Sequence, residues 1–240
     1  PSRAEKFGFT LNPAAQKLRQ QLETHFSEVH DARPLLARLR AIKQPSELAV
    51  IQRAIDITAK TLASVYKNFQ TYAHEYEIEA AITHGFRTRG ASGHAYDPIV
   101  AAGANACTLH YGENNAMLQP SSLVLLDVGA EVEQYAADIT RTYSFGEPTQ
   151  RQRDVFAAVH TAHKDIIALL APGLSVQAYS DKVDKRMKQS LIELGLISAK
   201  NDDVAYRKYF PHAISHGLGL DVHDSLGAPQ EFAPNMVLTV

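Results

Sequence analysis

The chain has 240 residues, 45% hydrophobic and 21% charged, a balance that suits a globular domain able to bury a substantial core and excludes a fibrous or disordered chain. Its 24 Lys and Arg nearly cancel its 26 Asp and Glu, and no block of like charge stands out, so no nucleic acid and no anionic membrane is expected as a partner. The single cysteine, Cys107, cannot close an internal disulfide, and with neither a signal-peptide pattern nor an apolar run of about 18 residues the expected location is cytoplasmic.

Leu11, Leu18, Leu22 and Phe26 recur at helical spacing and predict a short amphipathic helix over 12–27. Pro45-Ser46-Glu47 reads as a helix start, and the stripe Leu48, Ile51, Ile55, Thr58 and Leu62 carries that helix toward Phe69. Tyr76, Ile78, Ala81, Ile82 and Phe86 predict a third helix that ends near Gly90. The pattern then becomes strand-like over 98–102, 107–111, 122–128 and 139–145. Gly146-Glu147-Pro148 marks a turn, and helical patterns over 150–170 and 176–194 follow, separated by Pro172-Gly173. A further β segment is expected over 209–220, and 236–240 reads as an unfinished strand. The order predicts an α+β architecture of duplicated αβ halves with a mainly antiparallel sheet, in which residues 1–34 are separable from 35–240.

A buried-type strand ends on Asp127, and Asp138 lies eleven residues later at the head of Ile139-Thr140-Arg141-Thr142. A symmetric hairpin turning between Val132 and Glu133 would set the two aspartates directly opposite one another. Carboxylates so placed repel unless they share a proton or a cation, which a bound metal supplies. Taken alone, the pair is equally consistent with the bland reading in which Asp127 merely ends a strand and Asp138 is an exposed hairpin residue. The added signal is His212, His216 and His223 within twelve residues, interleaved with Gly217 and Gly219. Imidazole beside carboxylates is a ligand set for Mn, Zn, Co or Fe rather than for calcium.

His110 closes another strand-like run, a place where a histidine is ordinarily structural. His160 and His163 are expected on a solvent-facing helix surface, and His25, His30, His74, His84 and His94 show no partner pattern. Cys107 precedes His110 by three residues, but a small buried thiol in a strand is the simpler reading than a nucleophile. No H-E-x-x-H, Walker A, G-x-G-x-x-G or G-x-S-x-G motif is present, which removes the usual support for nucleotide chemistry and serine hydrolysis.

Five stretches together resemble the aminopeptidase P, prolidase and creatinase group of pita-bread metallopeptidases, most closely its bacterial Xaa-Pro aminopeptidases. They are Tyr96-Asp-Pro-Ile-Val, Leu109-His110-Tyr111, Leu125-Leu126-Asp127-Val-Gly-Ala-Glu, Tyr135-Ala-Ala-Asp138-Ile-Thr-Arg-Thr142, and His212 through His216 to Asp221-Val-His223-Asp224. The likeness runs in unbroken order over about residues 35–240, entered through Leu39-Arg40-Ala-Ile-Lys43-Gln-Pro45-Ser-Glu47-Leu. It implies a pita-bread catalytic domain over 35–240, preceded by a remnant of an N-terminal domain over 1–34. Asp127 and Asp138 take the place of the two aspartate ligands, Asp138 bridging two divalent ions, commonly Mn with Zn or Co possible, and His216 that of a histidine ligand. His110, His212 and His223 take the place of the cleft histidines that hold the scissile carbonyl, its tetrahedral intermediate and the proline side of the substrate.

The reaction so implied is hydrolysis of the bond between an N-terminal residue and a following proline by a metal-bridging water, in an enzyme that is often a homo-oligomer. The resemblance also implies that the chain is truncated at both ends. Two glutamate ligands are expected beyond Val240, and the 240-residue piece alone is expected to have little or no activity. A prolidase restricted to Xaa-Pro dipeptides is the rival within the same chemistry. A metal-free peptide-binding module of the same fold is the rival from another class, disfavoured because such relatives lose ligands that Asp127, Asp138 and His216 retain. Methionine aminopeptidase shares the Asp-to-Asp spacing but fits the Asp-Ile-Thr-Arg-Thr and Asp-Val-His-Asp stretches less well.

Overall fold

The computed structural model describes residues 13–240. Helix α1 (Pro13–Glu23) begins on a proline, whose missing N–H costs nothing in a first turn. Leu11 of the expected stripe lies outside the described residues. A second helix, α2 (Arg33–Ala41), was not legible, because nine residues are too few to show a stripe. The chain divides within it into two units, Pro1–Leu36 and Ala37–Val240.

In the larger unit, α3 (Pro45–Lys67) opens with Pro45 and a capping bond from the Gln44 amide to Glu47 Oε2 at 2.7 Å. Its stripe of Ile51, Ala54, Thr58, Leu62 and Val65 is buried. Helix α4 (Glu75–Thr88) packs against it. Gly85 permits the close crossing, since a Cβ there would sit 2.5 Å from Thr61 Cγ2. Ile78, Ile82 and Phe86 of α4 meet Val100, Val124, Leu126 and Val128 of the strands in the main core.

Two three-stranded antiparallel sheets follow. One has β3 (Leu123–Val128) between β2 (Ile99–Ala102) and β6 (Ile139–Ser144); the other has β4 (Ala130–Val132) between β1 (Gly93–His94) and β5 (Tyr135–Ala136). Strands β3 to β6 form one long hairpin broken at Gly129, with Glu131 opposite Ala136 and Asp127 opposite Thr140. Its two-residue turn is Glu133-Gln134, with φ of 50° and 70°, the doubly left-handed geometry of a type I′ turn. The turn therefore sits one residue later than expected, and Asp127 faces Thr140 rather than Asp138. Glu-Gln lacks the Asn-Gly signature that would have revealed it.

Three expected strands are absent among the described residues. The 107–111 stretch is a loop after a 3₁₀ turn (Gly103–Cys107), and Cys107 is exposed rather than buried in a strand. The 209–220 stretch begins at the end of α7 (Asp203–Tyr209), which Asp202 caps by accepting from the Ala205 amide at 2.9 Å. Beyond it, Gly217 forms only isolated bridges to Asp224 and Leu238, so 236–240 is likewise not a ladder strand. Helices α5 (Gln150–Ile167) and α6 (Val176–Glu193) are capped by Thr149 and Ser175. Ala162, Ile166, Tyr179, Val183 and Phe232 form a second core there. No described helix is long and apolar enough to cross a membrane.

A buried ion pair links the start of the larger unit to its last loop. Lys43 Nζ lies 3.3 Å from Asp224 Oδ2, with 1% and 2% of the side chains exposed. Arg40 sits 2.9 Å from the other Asp224 oxygen and 2.6 Å from Asp221. A Cβ at Gly219 would fall 2.2 Å from Asp224 Oδ2 and 2.9 Å from Lys43 Cε, so glycine is required there. Lys43→Met is expected to cost about 1–3 kcal/mol by leaving a buried carboxylate with Arg40 as its remaining cation. Thermal unfolding measures the loss, and adding Asp224→Leu is expected to recover part of it, so that the two effects fall short of additivity.

Candidate metal centre

Alternation along β3 sends Val124, Leu126 and Val128 into the core and turns Asp127 to the opposite face. The hairpin register puts Asp138 on that face as the diagonal neighbour of Asp127, not its direct partner. Gly129 makes this possible, because a Cβ there would lie 1.7 Å from the Ala137 carbonyl oxygen and 2.9 Å from Tyr96 Cε1. The hairpin closes behind the Tyr96 ring only without that atom.

The Tyr96 hydroxyl reaches both carboxylates, at 2.5 Å from Asp127 Oδ1 and 3.1 Å from Asp138 Oδ1. A phenol has one proton to give, and the shorter contact is the better claim on it. Burial first, and then the two nearby negative charges, push the Tyr96 pKa far above its ordinary value, so the group stays a donor. Asp127 is shifted upward by burial, against which the Tyr96 hydrogen bond works, while repulsion from Asp138 adds to the rise.

Asp138 is compensated from another direction. His216 Nε2 lies 3.2 Å from Asp138 Oδ2, and this contact raises the His216 pKa against the opposing effect of burial. The other ring nitrogen, Nδ1, is 3.0 Å from the Gly217 carbonyl, to which it donates, leaving Nε2 as the nitrogen turned toward the carboxylate.

Backbone pairing holds His216 there. Its amide donates to Thr239 Oγ1 at 3.2 Å, its carbonyl accepts from the Thr239 amide at 3.0 Å, and the Leu218 amide donates to Val237 at 3.1 Å. The Ala136 amide donates to the Gly219 carbonyl at 2.9 Å, fastening this loop to the hairpin that carries Asp138. Leu218, Ala136 and Ile51 form a small buried cluster beneath the junction.

The structure thus brings Asp127, Asp138 and His216 into one linked chain. His223 joins it, its ring edge-on to His216 with centroids 4.3 Å apart. His110 is exposed on its loop at φ 57°, close enough to Asp127 that a positive charge on its ring would favour the ionised carboxylate. His212 is exposed and makes no hydrogen bond, ion pair or ring contact with the other described residues. His160 stacks on Phe156, and His163 Nε2 lies 3.1 Å from the Val240 carbonyl, so neither joins the site.

No three His, Cys, Asp or Glu side chains among the described residues converge as a finished metal cage. The donor set nevertheless fits a divalent cation, with two carboxylates sharing one hydroxyl proton and an imidazole nitrogen aimed at the second of them. Sequence reasoning gave Tyr96 no role, and a tyrosine two residues before a proline carries no signal of one. Lys43 and Asp224 were equally silent, since charged residues at such positions ordinarily face solvent.

Residues 49–240 match metallopeptidase family M24. The chain is 42% identical over 205 residues to the Xaa-Pro aminopeptidase of Haemophilus influenzae, covering 83% of this chain and 48% of that protein. Aminopeptidase P from E. coli in a low-pH form superposes with a TM-score of 0.80 at 35% identity, over 87% of this chain and 49% of that one. The same enzyme with zinc substituted and product bound gives 0.77 at 34% identity, over the same shares. This chain therefore spans about half the length of the relatives it matches, and its helices and antiparallel sheets have the pita-bread architecture of aminopeptidase P. On the match over most of its length, the chain belongs to metallopeptidase family M24, a family of divalent-metal hydrolases.

Proposed function

We propose that the protein carrying this chain is a Xaa-Pro aminopeptidase, which hydrolyses the bond between an N-terminal residue and a following proline in peptides. The observation that carries this reading is the run of contacts from Tyr96 through Asp127 and Asp138 to His216 on a family M24 scaffold. Asp127, Asp138 and His216 would hold divalent ions, with Mn the metal proposed. Such ions supply Lewis acidity and a bound water acidic enough to be hydroxide near neutrality.

The chain's own residues set the conditions for that chemistry. Tyr96 keeps its proton and orients Asp127, while the Gly217 carbonyl keeps the His216 Nδ1 proton in place. His110 and His223 are the donors proposed for the scissile carbonyl and the charge that develops on it, with His212 facing the proline side of the peptide. We further propose a cytoplasmic, homo-oligomeric enzyme; the unpaired, exposed Cys107 is consistent with a reducing compartment.

The deciding experiment is a comparison of Gly-Pro-Ala with Gly-Pro as substrates of the Mn-loaded full-length protein. Release of glycine from the tripeptide is expected, whereas cleavage confined to the dipeptide would establish a prolidase instead. Absence of bound divalent metal in that protein would support the metal-free binding module.

Tyr96→Phe is expected to weaken metal affinity by about 10- to 100-fold, because Asp127 loses the bond that orients it. Competition with a chelating dye measures this, and an unchanged affinity would remove Tyr96 from the account.

The pH dependence follows from His216. Its folded pKa is raised, so its pairing with Asp138 stabilises the metal-free protein fully below the ordinary imidazole value of about 6.5 and loses that effect as pH rises through the folded value. Metal must displace this proton, so affinity is expected to fall on acidification from a pH already above the ordinary imidazole pKa. Calorimetry in buffers of different protonation enthalpy should show more proton release near neutral pH than an imidazole of ordinary pKa gives, and no excess if the shift is absent.

A further inference from the structure

Glu75 is the first residue of α4 and has 0% of its surface exposed, yet no cation pairs with it among the described residues. Four donors surround its carboxylate instead. Oε1 accepts from the Ala102 amide at 2.7 Å and Asn105 Nδ2 at 3.1 Å, and Oε2 accepts from the Tyr111 hydroxyl at 2.8 Å and the Ala116 amide at 2.9 Å. The four belong to one segment, 102–116, which lacks strand pairing once β2 ends at Ala102 and has His110 between its second and third anchors. The Glu75 amide also donates to the Ala116 carbonyl at 3.0 Å, closing the segment at its far end.

We propose that Glu75 is a positioning residue for the reaction, fixing the loop that presents His110 to the Asp127 side of the metal centre. The inference rests on the role given to His110 under the proposed function. A lone buried carboxylate is costly, and here four hydrogen bonds and the positive end of a helix dipole offset that cost. An apolar residue would fill the space but could hold none of the four groups. His110 has a left-handed φ, a conformation that costs free energy in a residue other than glycine and persists only when its surroundings impose it. The anchors at Asn105 and Tyr111 impose it from both sides. Asn114 acts in parallel, accepting from the Val100 amide at 2.9 Å and donating to the Pro98 carbonyl at 2.8 Å, so the segment is also tied to β2.

Glu75→Gln keeps size and shape but has one oxygen where four donors need two. The Tyr111 hydroxyl can rotate to accept from the new amide; the backbone amides of Ala102 and Ala116 cannot. In the full-length, metal-loaded enzyme, Glu75→Gln is expected to lower kcat at least tenfold with KM and metal content little changed, and to lower the thermal midpoint modestly because one buried amide loses its acceptor. Tyr111→Phe removes a single anchor and should give a smaller loss of the same kind, which keeps the test alive if the glutamine variant folds poorly. The discriminating readout is the double variant with His110→Ala. If Glu75 acts through His110, adding Glu75→Gln or Tyr111→Phe to His110→Ala lowers kcat no further. Multiplying losses, or an unchanged kcat in both single variants, would overturn the proposal. If His110→Ala itself leaves kcat unchanged, the role proposed for His110 fails first, and the loss of positioning follows from that.

Discussion

Two carboxylates held on one face of a hairpin repel each other, and much of the surrounding structure is arranged around that repulsion. Asp127 and Asp138 are each given a different compensation, a tyrosine hydroxyl for the first and an imidazole for the second. The diagonal register lessens the repulsion relative to a direct pairing, and it depends on a turn with two residues at positive φ and on a glycine at position 129. A divalent cation held by Asp127, Asp138 and His216, as proposed, would compensate both carboxylates and the imidazole together, which neither the hydroxyl proton nor a protonated histidine achieves.

Three anchors fix the segments around the site: Gly129 and Tyr96 fix the hairpin, and two buried polar anchors fix segments without regular structure, Lys43 and Asp224 the 216–224 loop and Glu75 the loop that follows Ala102. Loops expose backbone groups that helices and strands would pair internally, so a loop held still needs side chains to supply the missing partners. At Glu75 and Asp224 a carboxylate does this beside a glycine-tight or left-handed backbone, which only a narrow set of residues can replace.

The five longer helices were legible because each has an apolar stripe and a recognisable start, as at Pro45 to Glu47, whereas α2 and α7, of nine and seven residues, are too short to show one. Strand β3 was legible as a continuous apolar run and β6 as a β-prone run, and the aspartates through their places at the end of one and the head of the other. The hairpin register was not, because the turn residues Glu133 and Gln134 have no bias toward the conformation they adopt. The 107–111 stretch looked like a strand because its residues are apolar or β-prone, but it forms no ladder, and Glu75, more than thirty residues earlier, holds it through the Tyr111 hydroxyl and holds the flanking backbone at Ala102 and Ala116. Nothing local could show this, since the anchor is a long-range contact made by a residue type that ordinarily lies on the surface. Of the cleft residues, His216 and His223 are brought together by a glycine-rich loop visible in the sequence, whereas Tyr96 was visible only as part of a resemblance.

The two halves of the metal centre reach their places by different routes. Asp127, Tyr96 and Asp138 come from a continuous stretch in which the hairpin and the adjoining β1 segment fold on one another, so their geometry follows largely from local pairing. His216 arrives from nearly eighty residues further along the chain and is held by backbone bonds to Ala136, Val237 and Thr239 and by the small cluster around Leu218. Contacts of that sequence separation form late and are lost early, because the entropy of the intervening chain opposes them. The carboxylate pair is thus the persistent part of the site and the imidazole the conditional part. A cation bound across both adds its binding free energy to the contacts joining them, which couples metal occupancy to the packing of the last loop on the hairpin.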